Sequence, residues 1–506
     1  MRFENLTDLY SRLPTDVTIR LKNHLRGIRE GRSKEVVAYP LEHLSDDHIK
    51  EVVGNMISDS GAPDLVTEAD LRELDKLGPR SMIVPWQSRK EDLLAHFNHE
   101  ELSLEDSLNY FQKGVEYGNA TYPGATEWRG RRGRLVTLKE ASKFLVRPST
   151  AGLPFLKTKG NVLDKDGLES IINSGSFRHY SMLYSRSKSA TASRNVWGYA
   201  VLQTLMEYRM YPVMMAWDKS HSFRAAMRGT RELDKIITGQ ALAKPHGHIH
   251  ASVDYSSFDT SVSPRYLMEA MGVLASVFHP SDHEYIFELA HDIWNVKLVT
   301  PDGIMSGPHG MPSGTMITNT IDSVVQVLAM RDAGVDFNYL QLQGDDCYGT
   351  IAEGYNEAFI TAMRSTGFEV HPSKSLFNSD IFSYNSRFYW RDNRLRADPS
   401  FLGGSYGIGR AVVRLKYPER FTDFTKIGIS GESYWALAAL SKLSNCVNHP
   451  QFETFVKWYA QYDPKILSWS QEDRNRYKAA YVGKVRAGIV DAEDSDVDMV
   501  IDIIRS

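Results

Sequence analysis

The pattern of apolar and polar positions changes character halfway along the chain. From His248 onward, short alternating runs bounded by turn residues predict strands, and runs with apolar residues every three or four positions predict helices. Ile249 to Val253 reads as a strand ending at Asp254. Pro264 to Phe278 has helical periodicity, with Pro264 at the start, where its missing N–H is harmless. Thr315 to Ala333 predicts a longer helix closed by Gly334 as a C′ cap. Tyr339–Gln343 and Cys347–Ile351 flank Gly344-Asp345-Asp346 as two strands of a hairpin. A helix near Tyr355–Thr366 ends at Gly367, and a strand Phe368–His371 follows. Phe388–Ala397 predicts a second hairpin that turns at Asp392-Asn393.

The first 145 or so residues read as mixed helices and loops, and residues 146–245 are rich in Lys, Arg and aromatics. Two basic stretches stand out, one from Arg20 to Lys34 and a denser one at Arg129–Arg134. Beyond about residue 425 the pattern is helical, with Ser470 and Asp473 spaced as a capping box. The acidic run Asp491–Asp498 reads as a mobile tail. There is no low-complexity linker and no repeat at solenoid periods.

Composition narrows the class. A chain of 506 residues exceeds the size at which one core keeps growing, so several subdomains are expected. Hydrophobic and charged contents of 42% and 24% are those of a globular protein. With a formal net charge of −4, any nucleic-acid path must be a local basic channel on a near-neutral body. Two cysteines, Cys347 and Cys446, make neither a disulfide framework nor a zinc site, which points to a reducing compartment. No apolar run reaches the roughly 18 residues of a membrane span and no signal-peptide core is present, so a soluble, non-secreted protein is expected.

The candidate chemistry lies in carboxylates. Asp254 and Asp345 fall at a strand end and a hairpin tip, and neighbouring strands lie about 4.8 Å apart. Two such carboxylates can face one another, and like charges that close repel unless cations intervene. A pair of Mg²⁺ ions bridging them would activate a hydroxyl and neutralise a leaving pyrophosphate. Taken alone, Gly344-Asp345-Asp346 is equally an ordinary hairpin turn and Asp254 a cap residue.

The company of these residues changes that reading. Asp254-Tyr-Ser-Ser-Phe-Asp259, then Gly310-Met-Pro-Ser-Gly-Thr-Met-Ile-Thr-Asn319, then Gly344-Asp345-Asp346 resemble, in that order, the palm motifs of viral RNA-dependent RNA polymerases. The resemblance runs from about residue 149 to 391. It implies an α/β (α+β) fold, a cupped right hand. The N-terminal region and fingers would take residues 1–245. The palm, an antiparallel sheet plus helices, would span 246–400, with a fingers insertion near 270–305. A helical thumb and the acidic tail would fill 401–506.

The resemblance also implies residue roles. Asp254 and Asp345 would be the metal-binding aspartates with Asp346 assisting, and Mg²⁺ the cofactor, with Mn²⁺ as a substitute. Asp259 would recognise the ribose 2′-hydroxyl. Ser313, Gly314 and Thr318 match the Ser-Gly-x3-Thr loop, but the place of the usual ribose-contacting asparagine falls at Asp322, with Asn319 three residues earlier. Aspartate there looks like the double-stranded RNA viruses of the picobirnavirus and partitivirus type. Lys374 matches a lysine that protonates the departing pyrophosphate. Phe388, Trp390 and Arg391 resemble the primer-grip hairpin. Arg186, Lys188 and Arg194 resemble the basic fingers motif that holds the incoming triphosphate. Gly152 and Pro154 lie in a block similar to the template-guiding motif.

The implied activity is template-directed RNA synthesis, copying and transcribing a segmented double-stranded RNA genome. The partners would be RNA template and product, ribonucleoside triphosphates and a capsid protein, inside the virion or the host cytoplasm and away from membranes. An RNA-binding packaging protein on an inactive polymerase fold has no need of the clustered carboxylates. A reverse transcriptase is disfavoured by Asp259, and a two-metal nuclease leaves the glycine loop and basic fingers unexplained.

Overall fold

The structure, a computed structural model, describes residues 1–122, 132–419, 424–486 and 494–506. Its strands, in chain order, are β1 (Arg2–Glu4), β2 (Tyr180–Ser187), β3 (Ser193–Tyr199), β4 (His248–Val253), β5 (Lys297–Thr300), β6 (Gly303–Ser306), β7 (Asn338–Gln343), β8 (Asp346–Ala352), β9 (Leu376–Asn378), β10 (Ile381–Tyr384) and β11 (Arg387–Trp390). They form a five-stranded sheet in the order β1-β6-β5-β2-β3, a four-stranded antiparallel sheet β7-β8-β4-β9, and the separate hairpin β10-β11.

The four-stranded sheet is covered on both faces, and strand alternation decides what covers each. Ala251 and Val253 of β4 point into the large core built by helices Pro264–Ala275 and Thr318–Asp332. His250 and Ser252 point the other way, onto the β10-β11 hairpin. There the Phe382 ring packs 4.4 Å from Tyr348, and the Ser383 N–H donates to Ser252 Oγ at 2.8 Å. Buried on both sides, β4 is the rigid centre of the molecule, and Asp254 follows directly at its end.

Several predicted elements hold, with shifts that have local causes. Helix Pro264–Ala275 starts at its proline under a Ser263 cap. The 318–332 helix begins three residues later than expected because residues 313–317 are spent in a turn, and Gly334 follows at φ +64°. Ser470 and Asp473 do form a capping box, each side chain accepting the other's backbone N–H at 3.0 Å.

Other expectations fail. Phe368–His371 is not a strand: its amides and carbonyls bond the irregular chain after β4, with His371 N–H on the Asp254 carbonyl, leaving one isolated bridge, Tyr255 to Val370. The hairpin turns at Asn385-Ser386, both at positive φ, not at Asp392-Asn393, so Phe388–Trp390 pairs back onto Ile381–Tyr384. The acidic tail is not free: Asp494–Arg505 is a helix, with Val500 and Ile501 buried and Asp496 paired to Arg231 at 2.7 Å. Its apolar residues recur at helical spacing, a signal the acidic run outweighs by eye.

The N-terminal third is not a separate body. The helix Thr15–Glu30 lays Leu21 and Leu25 on the five-stranded sheet, which β1 extends. Helices Asp46–Ser58 and Asp64–Leu74 share one core with Ile408–Lys416, Gly431–Leu443, Phe452–Tyr462 and Asp494–Arg505. Buried Asp70 accepts the N–H groups of Ile408 and Gly409 at 3.0 Å, capping a helix far along the chain. The docked terminal helix makes a test: Ile501→Ala should cost about 2–4 kcal/mol in urea unfolding, whereas a detached tail would show no change.

Candidate active site

The site assembles where β4 and β8 end together. Val253 faces Cys347 as the last pair of the antiparallel register, and Asp254, the residue after β4, lines one cleft with Asp346, the first residue of β8. Gln343 and Asp346 close the β7-β8 hairpin, leaving Gly344 and Asp345 as its turn, with Gly344 at φ +66°. A side chain on Gly344 is strained by that φ and would also press on Asn319 Nδ2 at 3.0 Å.

The turn is clamped from behind by the 318–332 helix. Ser323 Oγ accepts the Gly344 N–H at 2.9 Å, and Gln326 Nε2 donates to the Gly344 carbonyl. Beneath lies Arg224, fully buried. It donates to Asp218 Oδ1 at 2.9 Å, to the Leu342 carbonyl at 3.0 Å and to Asn319 Oδ1 at 2.7 Å, and it also reaches Ser323. Sequence reading passed over Arg224; an arginine inside the apolar run Phe223–Met227 was the available signal.

Two of the aspartates at this turn, Asp345 and Asp346, are raised, by burial before charge. Burial first, then Asp345 and Asp254, push Asp346 up to about 7. Enclosure and Asp254 raise Asp345, against the pull of Arg194 and Lys374. Asp259 is pushed to about 6 by burial, opposed by the hydroxyl of Ser313, which donates to its Oδ2. Asp322 is buried with Oδ1 unpartnered, and burial with Asp259 and Asp345 holds it well above the usual carboxylate range. Lys374 Nζ stands 3.5 Å from Asp254 Oδ2, both groups open to solvent. Among the described residues no three His, Cys, Asp or Glu side chains cage a metal by themselves.

The basic residues divide. Arg186 and Arg194 are cross-strand partners on β2 and β3. Arg194 and Lys188 act on the site: Arg194 lowers Asp259 and Asp345, and the Lys188 amine is held down by burial, then Arg194 and Lys374. Arg186 is instead forked onto Glu419 at 2.8 and 3.1 Å. Of the basic run, Arg129 to Arg131 lie outside the described residues; Arg132 and Arg134 bond Asn119 and Asp282.

The glycine loop is held by β3. Trp197 N–H donates to the Ser313 carbonyl at 3.0 Å, and a Cβ on Gly314, at φ +149°, would sit 2.1 Å from the Trp197 carbonyl oxygen. Thr318 turns its hydroxyl to Thr315 at 2.9 Å, within its own loop. Glu207, buried at neighbouring Val201–Tyr208, accepts the Met316 N–H at 2.7 Å. Gly152 tucks against the end of β3, where a Cβ on it would meet the Tyr199 carbonyl at 2.5 Å, and Pro154 follows two residues later across a cis peptide. Phe388 lines the catalytic cleft, Trp390 is buried behind it, and Arg391 is exposed. That cleft, about 470 Å³, is bounded by Asp254, Asp346 and Lys374 and, unforeseen from sequence, by Arg410 and Lys76.

Glu207 makes a pH prediction. Burial raises it from 4.5 to about 8, so the unfolded chain releases this proton first. Stability should therefore fall as pH rises from about 4.5 to 8. Glu207→Gln, which keeps an acceptor for Met316, should flatten that slope in thermal unfolding.

The comparisons with known proteins agree with this geometry. Residues 186–354 match the family described as viral RNA-dependent RNA polymerase. A potential RNA-dependent RNA polymerase of human picobirnavirus is 22% identical over 455 residues, 84% of this chain and 81% of that one. An RNA-directed RNA polymerase of Cryptosporidium parvum virus 1 is 21% identical over 264 residues, 46% of this chain and 49% of the relative. The crystal structure of a human picobirnavirus RNA-dependent RNA polymerase superposes with a TM-score of 0.80 at 17% identity, covering 98% of both chains. Its insertion-loop deletion mutant gives 0.79 at 17% identity, over 96% of this chain and 98% of the mutant. By motif order, family match and fold, this chain resembles the viral RNA-dependent RNA polymerases of the picobirnavirus type.

Proposed function

We propose that this chain is an RNA-directed RNA polymerase that joins ribonucleoside triphosphates on an RNA template. The observation that carries the reading is the meeting of Asp254 and Asp346 on one cleft beside the Gly344-Asp345 turn, with Lys374, Lys188 and Arg194 around them.

Each residue then has work to do. The carboxylates of Asp254, Asp345 and Asp346 would hold Mg²⁺, or Mn²⁺ in its place. The elevation of Asp345 and Asp346 is the frustration a divalent cation relieves, and Mg²⁺ commonly completes its shell with substrate phosphates and water. When bound, the metal supplies activation of the RNA 3′-hydroxyl and neutralisation of the leaving phosphates. The 3′-oxygen forms a bond to the α-phosphorus as the bond to pyrophosphate breaks. Lys374 delivers a proton to that leaving group. Arg194 and Lys188 grip the triphosphate. Asp259, Ser313 and Asp322 face the ribose, and Asn319 steadies the turn beside them. Phe388 supports the growing strand, with Trp390 and Arg391 behind it. Gly152 and Pro154 shape the template path.

In the right-hand description, residues 1–245 would form the N-terminal region and fingers, 246–400 the palm with a fingers insertion near 270–305, and 401–506 the thumb and acidic tail. The enzyme would replicate and transcribe a segmented double-stranded RNA genome in contact with a capsid protein, in the virion or the host cytoplasm. No helix among the described residues is long and apolar enough to cross a membrane.

Asp345→Ala should lower labelled ribonucleotide incorporation on a single-stranded RNA template by roughly a hundredfold or more while RNA binding persists. Binding by both proteins without synthesis by the parent chain would sink the polymerase reading. Lys374→Leu should lower the rate constant for incorporation by about a hundredfold with little change in KM; an unchanged rate would remove the lysine from the proton step.

A further inference from the structure

Asp259 sits on a single helical turn, Phe258–Ser261, entered through Ser257 at φ +53°. A turn this short has no stability of its own. The direction of its carboxylate must therefore be fixed from outside, and the contacts that fix it come largely from a segment far upstream in the chain.

That segment is the end of the helix Lys90–His96 and the residues after it, outside the stretch that matches the polymerase family. His99 Nε2 lies 2.8 Å from the Thr260 carbonyl. Because a carbonyl only accepts, Nε2 carries the hydrogen. His96 Nδ1 lies 3.1 Å from Thr260 Oγ1, and the His96 carbonyl accepts the Gly310 N–H at 2.8 Å. One residue on, the Met311 N–H donates to the Asp259 carbonyl at 2.7 Å. Gly310 leaves no slack, since a Cβ there would lie 2.4 Å from the Asp259 carbonyl oxygen. Behind these bonds the rings of His96, Phe97, Trp197 and His309 pack together, with Trp197 4.6 Å from His309 and 5.6 Å from Phe97. Trp197 in turn holds Ser313, whose hydroxyl meets the Asp259 carboxylate.

The histidines thus tie the Asp259 turn and the glycine loop to one rigid block. We infer that His99, seconded by His96, is a positioning residue for ribose selection: it holds the Asp259 turn at the place where its carboxylate meets a nucleotide 2′-hydroxyl. The inference rests on the polymerase reading given above.

A hydrogen bond to a 2′-hydroxyl depends steeply on distance and angle. Letting the turn drift weakens that bond for a ribonucleotide. A deoxyribonucleotide never forms it and loses nothing, so the signature is a change in discrimination.

The test compares kcat/KM for ribonucleoside and 2′-deoxyribonucleoside triphosphates on one RNA template. The proteins are the parent chain, His99→Ala, His99→Gln and Thr260→Val. In His99→Ala the ribose preference should fall about fivefold, the size of one lost hydrogen bond, through the ribonucleotide term alone. His99→Gln, whose amide can donate to the same carbonyl, should recover most of it. Thr260→Val removes only the His96 bond and should show a smaller fall in the same direction; it carries the comparison if His99→Ala does not fold. An unchanged preference in the folded variants overturns the inference. So does an equal loss for both substrates alongside a lowered unfolding midpoint, the mark of a merely structural role. Failure of the parent chain to use ribonucleotides at all would reject the polymerase reading instead.

Discussion

A guanidinium cannot be buried cheaply, and the centre of this molecule is arranged around one that is. Arg224 has no exposure to water, and its donors go to Asp218, Asn319, Ser323 and the Leu342 carbonyl. Removing any one partner leaves charge or a donor unsatisfied in a low-dielectric interior. The 218–224 segment, the 318–332 helix and β7 must therefore keep their relative places to within hydrogen-bond tolerance. The Gly344 turn inherits that precision through Ser323 and Gln326. Thr320, donating to the second oxygen of Asp218 at 2.7 Å, completes the network. A set of carboxylates that repel one another is thus mounted on a frame tied together by the Arg224 donors, and the frame resists the repulsion.

What was legible in the chain follows from how local each signal is. β4, the β7-β8 hairpin and helix 318–332 were readable because alternation, turn glycine and helical spacing lie within a few residues of one another. The site carboxylates were legible only through resemblance: Asp254, Asp259 and Asp345 stand in the same order with Gly310, Gly314 and Gly344 as in the viral polymerases, and spacing alone assigns them no role. The second hairpin was misplaced because two residue pairs had turn chemistry. Asn385-Ser386 won through pairing of Phe382 with Tyr389, at ring centroids 5.1 Å apart, and packing on Tyr348, which sequence does not display.

Arg186 illustrates the other limit. By type and place it suits a phosphate, yet a carboxylate more than two hundred residues away, Glu419, takes its fork. Residue type announces which chemistry is possible; only the fold says who has claimed it. The same holds for His96 and His99, whose importance lies in backbone atoms of Thr260 and Gly310 and leaves no mark in the pattern around them. Arg410 and Lys76 reach the cleft from opposite ends of the chain, and no spacing could join them.

The core that joins residues 41–77 to residues 406–501 also sets an order of events in the making of this protein. Helices 46–58 and 64–74 precede in synthesis the partners that Ile49, Val53, Ile57 and Leu74 need, which lie more than three hundred residues later. The Asp70 carboxylate waits for amides 338 and 339 residues later in the chain. Contacts of such sequence separation form slowly and leave apolar surface open in the meantime. A chain interrupted before residue 406 can therefore finish the β4–β8 sheet and still lack Gly407, Arg410 and His449, which line the cleft beside it. The cleft is closed only once residues 406–501 have joined the core begun by residues 41–77.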